Sequence, residues 1–442
     1  MTEPVIELLQ TLIRNECVND GTVGGGFEER SVETLTEFFG VEGRVFEPAP
    51  GRQSLLYRVE GTDPSAPTLA LVPHLDVVAA DPSGWSVDPF SAEIRDGFVY
   101  GRGAVDMLNV TAALAVAFKP YLTGEKVPKS DLIFCAVADE EAGGVYGAMH
   151  LVDEYWELVG ADYLLTEVAY PGLPGQSQPQ VPVSVGEKGP FWSLLQASGT
   201  PGHGSAPYGM DNAVQSVVAA LQGIFDTPVP AAITSEWVEF AESLGLDEET
   251  TAMLLDVDQL DRAIDRVAVT DPTMARYIHA ATHLTVSPNV VHAGTKSNII
   301  ADKGRAEVDI RALPGMDREF INTHLRKAMG SASDRIEIVP MLDKAPNVSN
   351  VGNLLWEAIG DAVEEIEGHR NLVPTLMTVS TDGRFWREKG TVAYGVGLFD
   401  DRITFSEMLA SFHGHDEKVS IETVLRTTSL YDRVLERFQE RQ

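Results

Sequence analysis

Histidine and glutamate side chains follow three apolar runs of this chain, at the points where the runs end. They are His74, Glu140, Glu141 and Glu167, and the runs span residues 68–72, 132–138 and 163–165. Imidazole nitrogens and carboxylate oxygens are zinc ligands, and catalytic zinc sites keep one position open for water. The pattern therefore makes these residues candidate metal ligands.

Two of the candidate positions also have structural interpretations. His74 is followed by Asp76, and a metal-bound histidine usually donates its second ring N–H to a carboxylate; a polar loop after a strand is the alternative. Asp106 precedes a helix-forming run, where an aspartate serves either as a metal ligand or as the N-cap. Both interpretations stay open for each residue.

Glu140 and Glu141 are adjacent carboxylates at the end of an apolar run. Neighbouring carboxylates repel each other, and a cation or a proton relieves that repulsion. One of them as metal ligand and the other as general base is one interpretation. A solvated turn is the other.

The elements that must position these residues alternate between strand and helix. The apolar runs are typical of buried strands, and helical spacing occurs between them at residues 110–118 and 145–156. This alternation predicts an α/β fold with a mainly parallel sheet flanked by helices. Ligands bind beyond the carboxyl ends of the strands in such sheets, where the candidate residues lie.

The pattern changes after a proline-rich stretch at residues 171–182. We expect a catalytic α/β domain made of residues 1–185 and 343–442. Residues 186–342 are predicted to form a smaller inserted α+β lid domain, which serves for dimerisation and carries a helical insertion at about residues 230–283.

Composition excludes several functional classes. The net charge of −33 opposes binding to nucleic acid or anionic membranes, both of which need basic patches. No apolar run approaches the ~20 residues needed to span a bilayer. The beginning of the chain lacks the basic segment and apolar core of a signal peptide, so we expect a cytoplasmic protein.

Six segments taken together resemble one known family. They are His74-Leu75-Asp76, Trp85 with Asp88-Pro89-Phe90, Tyr100 to Met107, Asp139-Glu140-Glu141, Gly202-His203-Gly204-Ser205, and His413-Gly414-His415-Asp416-Glu417. Their order and spacing resemble the dizinc metallopeptidase family of glutamate carboxypeptidase, acetylornithine deacetylase and succinyl-diaminopimelate desuccinylase. The resemblance extends from the first predicted helix nearly to the C-terminus.

The resemblance implies two zinc ions per chain, with cobalt or manganese as substitutes. Asp106 matches the carboxylate that bridges the two ions. His74 and Glu167 match the other ligands of one ion, and Glu141 and His413 match those of the second.

The resemblance also implies roles outside the metal ligands. Glu140 matches the general base, and Asp76 matches the partner of the first zinc-bound histidine. His203, in the lid, matches a histidine that reaches the active site of a neighbouring subunit, which implies a homodimer formed through the lid. Arg311 and Asn298 match lid residues that hold the substrate's carboxylate and the region of the reacting carbonyl.

The chain departs from the family pattern at Leu108 and at Val168-Ala169, which follow Glu167 where many relatives have glycines, and it needs a choice between His413 and His415. Leu108 stands where relatives often have lysine after Asp-Met, which bears on the substrate subclass. His413 rather than His415 matches the ligand, since the family's ligand directly precedes glycine. Asp382 and Arg384 lie in a segment that resembles a substrate-side loop.

The predicted function is zinc-dependent hydrolysis of an amide bond by metal-bridged water with a glutamate general base. The substrate is a small molecule with a free carboxylate, either a short peptide or an N-acyl amino acid. The sequence leaves a peptidase and a deacylase as alternatives. A non-catalytic binding or assembly protein that kept the fold is a third interpretation.

Overall fold

The computed structural model describes residues 3–167, 169–175 and 178–442 of the chain. Within these residues, most strands belong to a nine-stranded sheet or to a separate five-stranded sheet. No helix in the described part of the chain is both long and apolar enough to cross a membrane.

The helices cover both faces of the large sheet and one face of the small one. In chain order they are α1 (Pro4–Arg14), α2 (Glu29–Phe39), α3 (Leu108–Leu122), α4 (Ala148–Glu154), α5 (Trp156–Val159), α6 (Ala213–Asp226), α7 (Ser235–Ser243), α8 (Glu248–Leu254), α9 (Leu260–Ala268), α10 (Pro272–Thr282), α11 (Arg318–Met329), α12 (Leu354–Glu367), α13 (Gly383–Glu388), α14 (Phe405–Ser411) and α15 (Ile421–Glu440).

The strands are mostly short. In chain order they are β1 (Arg44–Ala49), β2 (Arg52–Val59), β3 (Leu69–Leu71), β4 (Ile94–Arg95), β5 (Phe98–Tyr100), β6 (Leu132–Ala136), β7 (Tyr163–Thr166), β8 (Val181–Glu187), β9 (Gly189–Pro190), β10 (Ser193–Ser198), β11 (Gly202–His203), β12 (Thr285–Ala293), β13 (Ile299–Ile300), β14 (Lys303–Ala312), β15 (Ile336–Pro340), β16 (Asn347–Val348), β17 (Leu372–Met377), β18 (Val392–Gly395) and β19 (Lys418–Ser420).

The large sheet has a parallel centre. Its strand order is β1-β2-β6-β3-β7-β18-β8-β16, with β17 paired to β8. Strands β6, β3, β7 and β18 run parallel to one another, and β2 and β8 flank them antiparallel. The predicted α/β fold with a mainly parallel sheet and flanking helices is confirmed.

Alternate residues of β6 and its continuation pack on opposite faces of the sheet. Leu132 and Phe134 belong to the core formed with α1, α3, α12 and α15. Ile133, Cys135 and Val137 belong to the core formed with α4, α5 and α13. Side chains of a strand point alternately to the two faces, so an uninterrupted apolar run is what a strand covered on both sides requires.

The five-stranded sheet, ordered β12-β14-β10-β15, packs against α6 and α11, while β9 pairs with β14. Residues 230–283 contain α7 to α10, whose apolar core includes Phe240 and Tyr277 together with Tyr170 and Phe405 from outside that segment. Helices α7 to α10 therefore pack against segments that precede and follow the five-stranded sheet in the sequence.

The structure differs from the sequence expectation in several elements. The single helix expected at residues 145–156 is two short helices, α4 and α5, because the backbone leaves the helical conformation at Tyr155 (φ −134°, ψ 34°). Strands β1, β2, β17 and β18 were not predicted. The pattern of β1 is mostly exposed, so this strand lacks the apolar run that predicts a buried strand.

A buried ion pair joins β8 to α13. Nη1 of Arg387 lies 3.1 Å from Oε2 of Glu187, and both side chains are about 2% exposed. The same carboxylate oxygen accepts hydrogen bonds from the main-chain N–H and the hydroxyl of Thr381.

Arg387→Met should lower the free energy of unfolding by about 3–5 kcal/mol, because it leaves a buried carboxylate without its cation. Urea unfolding followed by circular dichroism measures the change. Lys389→Met is the matched control, since its Nζ lies 3.9 Å from Asp153 at the surface, and it should cost at most about 1 kcal/mol. Equal losses in the two variants would contradict the prediction.

Candidate metal centre

Two of the candidate ligands lie at neighbouring strand ends. Strand β3 pairs in parallel with both β6 and β7, so the carboxyl ends of the three strands lie side by side. Beyond β3 the chain continues to His74, which forms a parallel bridge with Val137 beyond β6. Glu167 directly follows β7.

Asp106 and His413 lie in loops that approach the same edge of the sheet. Helix α3 begins at Leu108 with Met107 as its N-cap, so the Asp106 side chain does not cap it, and the Asp106–Met107 peptide bond is cis. His413 follows α14 and has a positive φ of 55°.

These residues form two groups that share Asp106. Its Oδ1 lies 3.3 Å from Nε2 of His74, which lies 3.6 Å from Oε2 of Glu167. Its Oδ2 lies 3.3 Å from Nε2 of His413, which lies 3.3 Å from Oε2 of Glu141. Within each group the candidate ligand atoms all lie within 4.8 Å of one another.

The spacing and the unused oxygens fit divalent cations. Tetrahedral zinc with bonds of about 2.0–2.2 Å separates its ligand atoms by about 3.3–3.6 Å. Oε1 of Glu141 and Oε1 of Glu167 are buried and have no hydrogen-bond partner among the described residues. Buried carboxylate oxygens without a donor are costly unless a cation satisfies them.

The pKa values of Glu141 and Glu167 also indicate that the two groups need positive charge. Burial raises the pKa of Glu141 to about 7, with a further rise from the charge of Asp106 and opposition from His413. Burial also raises the pKa of Glu167 to about 7, against its hydrogen bond with His74. A bound cation would stabilise the ionised carboxylates that burial disfavours.

In the protein itself, protonated imidazoles supply this positive charge. Hydrogen bonds to Asp106 and then to Glu141 raise the pKa of His413 to about 10. Metal binding requires neutral imidazole, so a cation would displace this proton.

Asp76 holds the turn that carries Glu140 and Glu141. Its Oδ1 accepts a hydrogen bond from the main-chain N–H of Glu140 (3.1 Å), and its Oδ2 accepts one from that of Glu141 (3.0 Å). Nδ1 of His74 lies 3.0 Å from the main-chain oxygen of Asp76 and 3.6 Å from its carboxylate. Asp76 therefore orients both the histidine and the turn.

Glu140 directly precedes Glu141 in the turn that Asp76 holds. Burial raises its pKa well above the usual range, and the charge of Glu167 raises it further. A carboxylate with a raised pKa next to a metal site is suited to taking and returning a proton near neutral pH.

Arg102 and Glu417 join the loops of Asp106 and His413. Nη1 of Arg102 lies 2.6 Å from Oε2 of Glu417, and its Nη2 donates to the main-chain oxygens of His413 (3.2 Å) and Gly414 (3.1 Å). Oε1 of Glu417 accepts from the main-chain N–H of Asp106 (3.2 Å). The sequence motifs assign this pair no role, although both residues lie within segments that carry the family resemblance.

His203 and Asn298 lie together within residues 186–342, the predicted lid. Strand β11 pairs His203 with Ile299 of β13, and the N–H of Gly204 donates to the main-chain oxygen of Asn298 (2.8 Å). His203 is exposed, and its Nδ1 contacts the hydroxyl of Ser205 at 2.7 Å. Its described contacts, which include Ser205 and Ile299 of β13, do not involve the two groups around Asp106.

Arg311 lies near the loop that leads into α13. Its Nε and Nη2 contact the carboxylate of Asp309 at 2.8 and 3.3 Å, and its Nη1 donates to the hydroxyl of Ser380 at 3.3 Å. Two residues after Ser380, Asp382 is 3% exposed, and its Oδ2 has no hydrogen-bond partner in the part of the chain that the structure describes. Burial and then the charge of Glu167 raise the pKa of Asp382.

Comparison with known proteins gives relatives along the whole chain. The chain is 26% identical over 430 residues to the N-fatty-acyl-amino acid synthase/hydrolase of Mus musculus, which covers 91% of this chain and 82% of that protein. It is also 26% identical over 446 residues to the succinyl-diaminopimelate desuccinylase of Rhodospirillum centenum, with 99% and 98% covered.

A solved structure shares the fold. The M20 family metallo-carboxypeptidase from Sulfolobus solfataricus aligns with a TM-score of 0.73 at 18% identity, covering 99% of this chain and 100% of that one. Peptidase family M20/M25/M40 matches residues 70–437. These findings confirm the resemblance drawn from the sequence, and the chain therefore belongs to peptidase family M20/M25/M40 and is an enzyme that hydrolyses amide bonds.

Proposed function

We propose that this enzyme hydrolyses the amide bond of a short peptide or an N-acyl amino acid with the help of two zinc ions, for which cobalt or manganese can substitute. The position of Asp106 carries the proposal. Its two oxygens each lie 3.3 Å from the Nε2 atom of a different histidine, His74 and His413. A carboxylate in this position is suited to bridge two metal ions.

The proposed chemistry divides between the ions and the protein. Bound zinc polarises a carbonyl and lowers the pKa of water, so that attack occurs near neutral pH. Glu140 accepts the proton of the attacking water and returns it to the leaving nitrogen as the carbon–nitrogen bond breaks. Asp76 keeps Glu140 in place through the main-chain N–H of the turn.

The relatives favour an amide that lies close to a carboxylate. Two are named for N-acyl substrates, as an N-fatty-acyl-amino acid synthase/hydrolase and a succinyl-diaminopimelate desuccinylase, and a solved one is named a carboxypeptidase. N-acyl amino acid hydrolysis is therefore the second candidate beside peptide hydrolysis. We infer that Arg311 binds the substrate carboxylate and that Asn298 lies near the reacting carbonyl.

Glu140→Gln should keep two divalent metals per chain and lower kcat by about 10²–10⁴-fold, because it removes the proton acceptor while leaving the candidate ligands intact. Metal content is measured by elemental analysis. Turnover is measured on a panel of dipeptides and N-acyl amino acids with zinc, cobalt or manganese supplied.

Glu154→Gln is the control, since this glutamate is exposed at the end of α4. It should change neither metal content nor kcat. A wild-type protein that binds at most traces of metal under saturating zinc would rule out the dizinc proposal, and near-full turnover of Glu140→Gln would place the base elsewhere.

Arg311→Ala and Arg311→Lys should both raise KM by about 10–100-fold for substrates with a free carboxylate, since a guanidinium makes two parallel hydrogen bonds that an ammonium does not. Amidating that carboxylate should cost the wild type far more than it costs Arg311→Ala. Arg318→Lys, whose guanidinium pairs with Asp343, is the control. Equal losses in wild type and Arg311→Ala would exclude carboxylate binding by this arginine.

The lid surface supports a homodimer formed through this part of the chain. Strand β12 is at one edge of its sheet, and Val291 on it is 50% exposed. Helix α6 presents Val218 and Phe225, which are 58% and 65% exposed. An unpaired edge and exposed apolar residues are what pairing with a second copy would cover.

In such a dimer His203 would complete the site of the neighbouring chain, where it stabilises the developing oxyanion. Mixing inactive His203→Ala chains with inactive Glu140→Gln chains should restore part of the activity after subunit exchange, because one site in the mixed dimer is intact. Ultracentrifugation establishes the assembly state. A fully active monomer would contradict the proposal.

A further inference from the structure

The side-chain amide of Asn19 uses all of its hydrogen-bonding capacity inside the protein. Its Nδ2 donates to Oδ2 of Asp76 (2.8 Å) and to Oδ1 of Asp139 (3.2 Å). Its Oδ1 accepts from Nη2 of Arg52 (2.7 Å) and from the N–H of Gly21 (2.9 Å). An asparagine amide has two donor hydrogens and two acceptor lone pairs, so this one is completely satisfied.

The main chain also holds Asn19 in place. Its N–H donates to the main-chain oxygen of Val77 (2.9 Å), and Val77 donates in turn to the oxygen of Cys17 (2.9 Å). The residue is 6% exposed. The amide is therefore fixed next to Asp76 from both its backbone and its side chain.

Arg52 supplies the charge behind this amide. Its side chain is 1% exposed, and its Nη1 lies 2.9 Å from Oε1 of the equally buried Glu28. Its Nη2 reaches Asn19 and lies 3.7 Å from Oδ1 of Asp139. Buried carboxylates need a cation or hydrogen-bond donors. Asn19 supplies a donor to Asp76, with which Arg52 makes no hydrogen bond or ion pair among the described residues.

Asp76 in turn accepts the main-chain N–H groups of Glu140 and Glu141. We propose that Asn19 is a positioning residue that fixes the Asp76 carboxylate and thereby the turn of Glu140 and Glu141. The catalytic part of this inference rests on the proposed function, in which Glu140 is the general base. The positioning of the turn itself does not.

The test compares Asn19→Ala with Asn15→Ala in the full-length protein. Asn15 is a matched control because its Nδ2 also donates to two side chains, those of Ser31 (3.2 Å) and Thr34 (2.9 Å), without reaching Asp76. Hydrogen exchange followed by mass spectrometry on peptides that contain residues 139–144 reports the turn. Exchange there should be about tenfold faster in Asn19→Ala and unchanged in Asn15→Ala.

A second readout addresses catalysis. Loss of a residue that supports metal ligands typically costs about 10–100-fold in affinity or activity. Asn19→Ala should lower kcat by about this factor with little change in KM, and calorimetry with zinc should show weaker binding of at least one ion. Asn15→Ala should match the wild type in all three.

Asn19→Asp separates positioning from packing, and it serves if Asn19→Ala does not fold. It keeps the shape and the acceptor for Arg52 but removes the donor and places a third carboxylate beside Asp76 and Asp139. It should lose at least as much kcat as Asn19→Ala. A wild-type enzyme without hydrolysis would overturn the proposed function, while unchanged exchange in the turn of both Asn19 variants would overturn this inference alone.

Discussion

The burial of several carboxylates within a few ångströms of one another is the constraint on which the rest of the structure depends. Asp106, Glu141 and Glu167 lie together with two imidazoles at the ends of parallel strands. Such a group is unstable without positive charge. Strand order, loop conformation and the buried cations nearby all bear on how that charge is supplied.

The buried acids around this edge are of two kinds, and hydrogen bonding distinguishes them. Asp76 and Glu417 use both carboxylate oxygens to accept main-chain N–H groups. Within the described ranges of the chain, Glu141 and Glu167 each leave one buried oxygen without a donor. Acids of the first kind hold loops in position, whereas acids of the second kind are available to a cation.

The sequence alone predicted those parts of the fold and of the candidate site that local patterns determine. Apolar runs predicted β3, β6 and β7, and the polar residues after them meet because parallel strands share an edge. Asn19 and Arg52 could not be assigned in this way, since their partners are set by the packing of the N-terminal segment against residues far along the chain. The predicted length of the helix at residues 145–156 was also wrong, because the apolar spacing continues through the break at Tyr155.

The ion pair of Arg102 and Glu417 has a consequence for biosynthesis. Glu417 accepts the main-chain N–H of Asp106 across 311 residues. At about 5–20 residues per second, a ribosome needs roughly 15–60 s to make that stretch. His74, Asp106 and Glu167 have all been synthesised long before His413, so on a nascent chain one group of candidate ligands is complete while the loop of Asp106 still lacks its distant anchor.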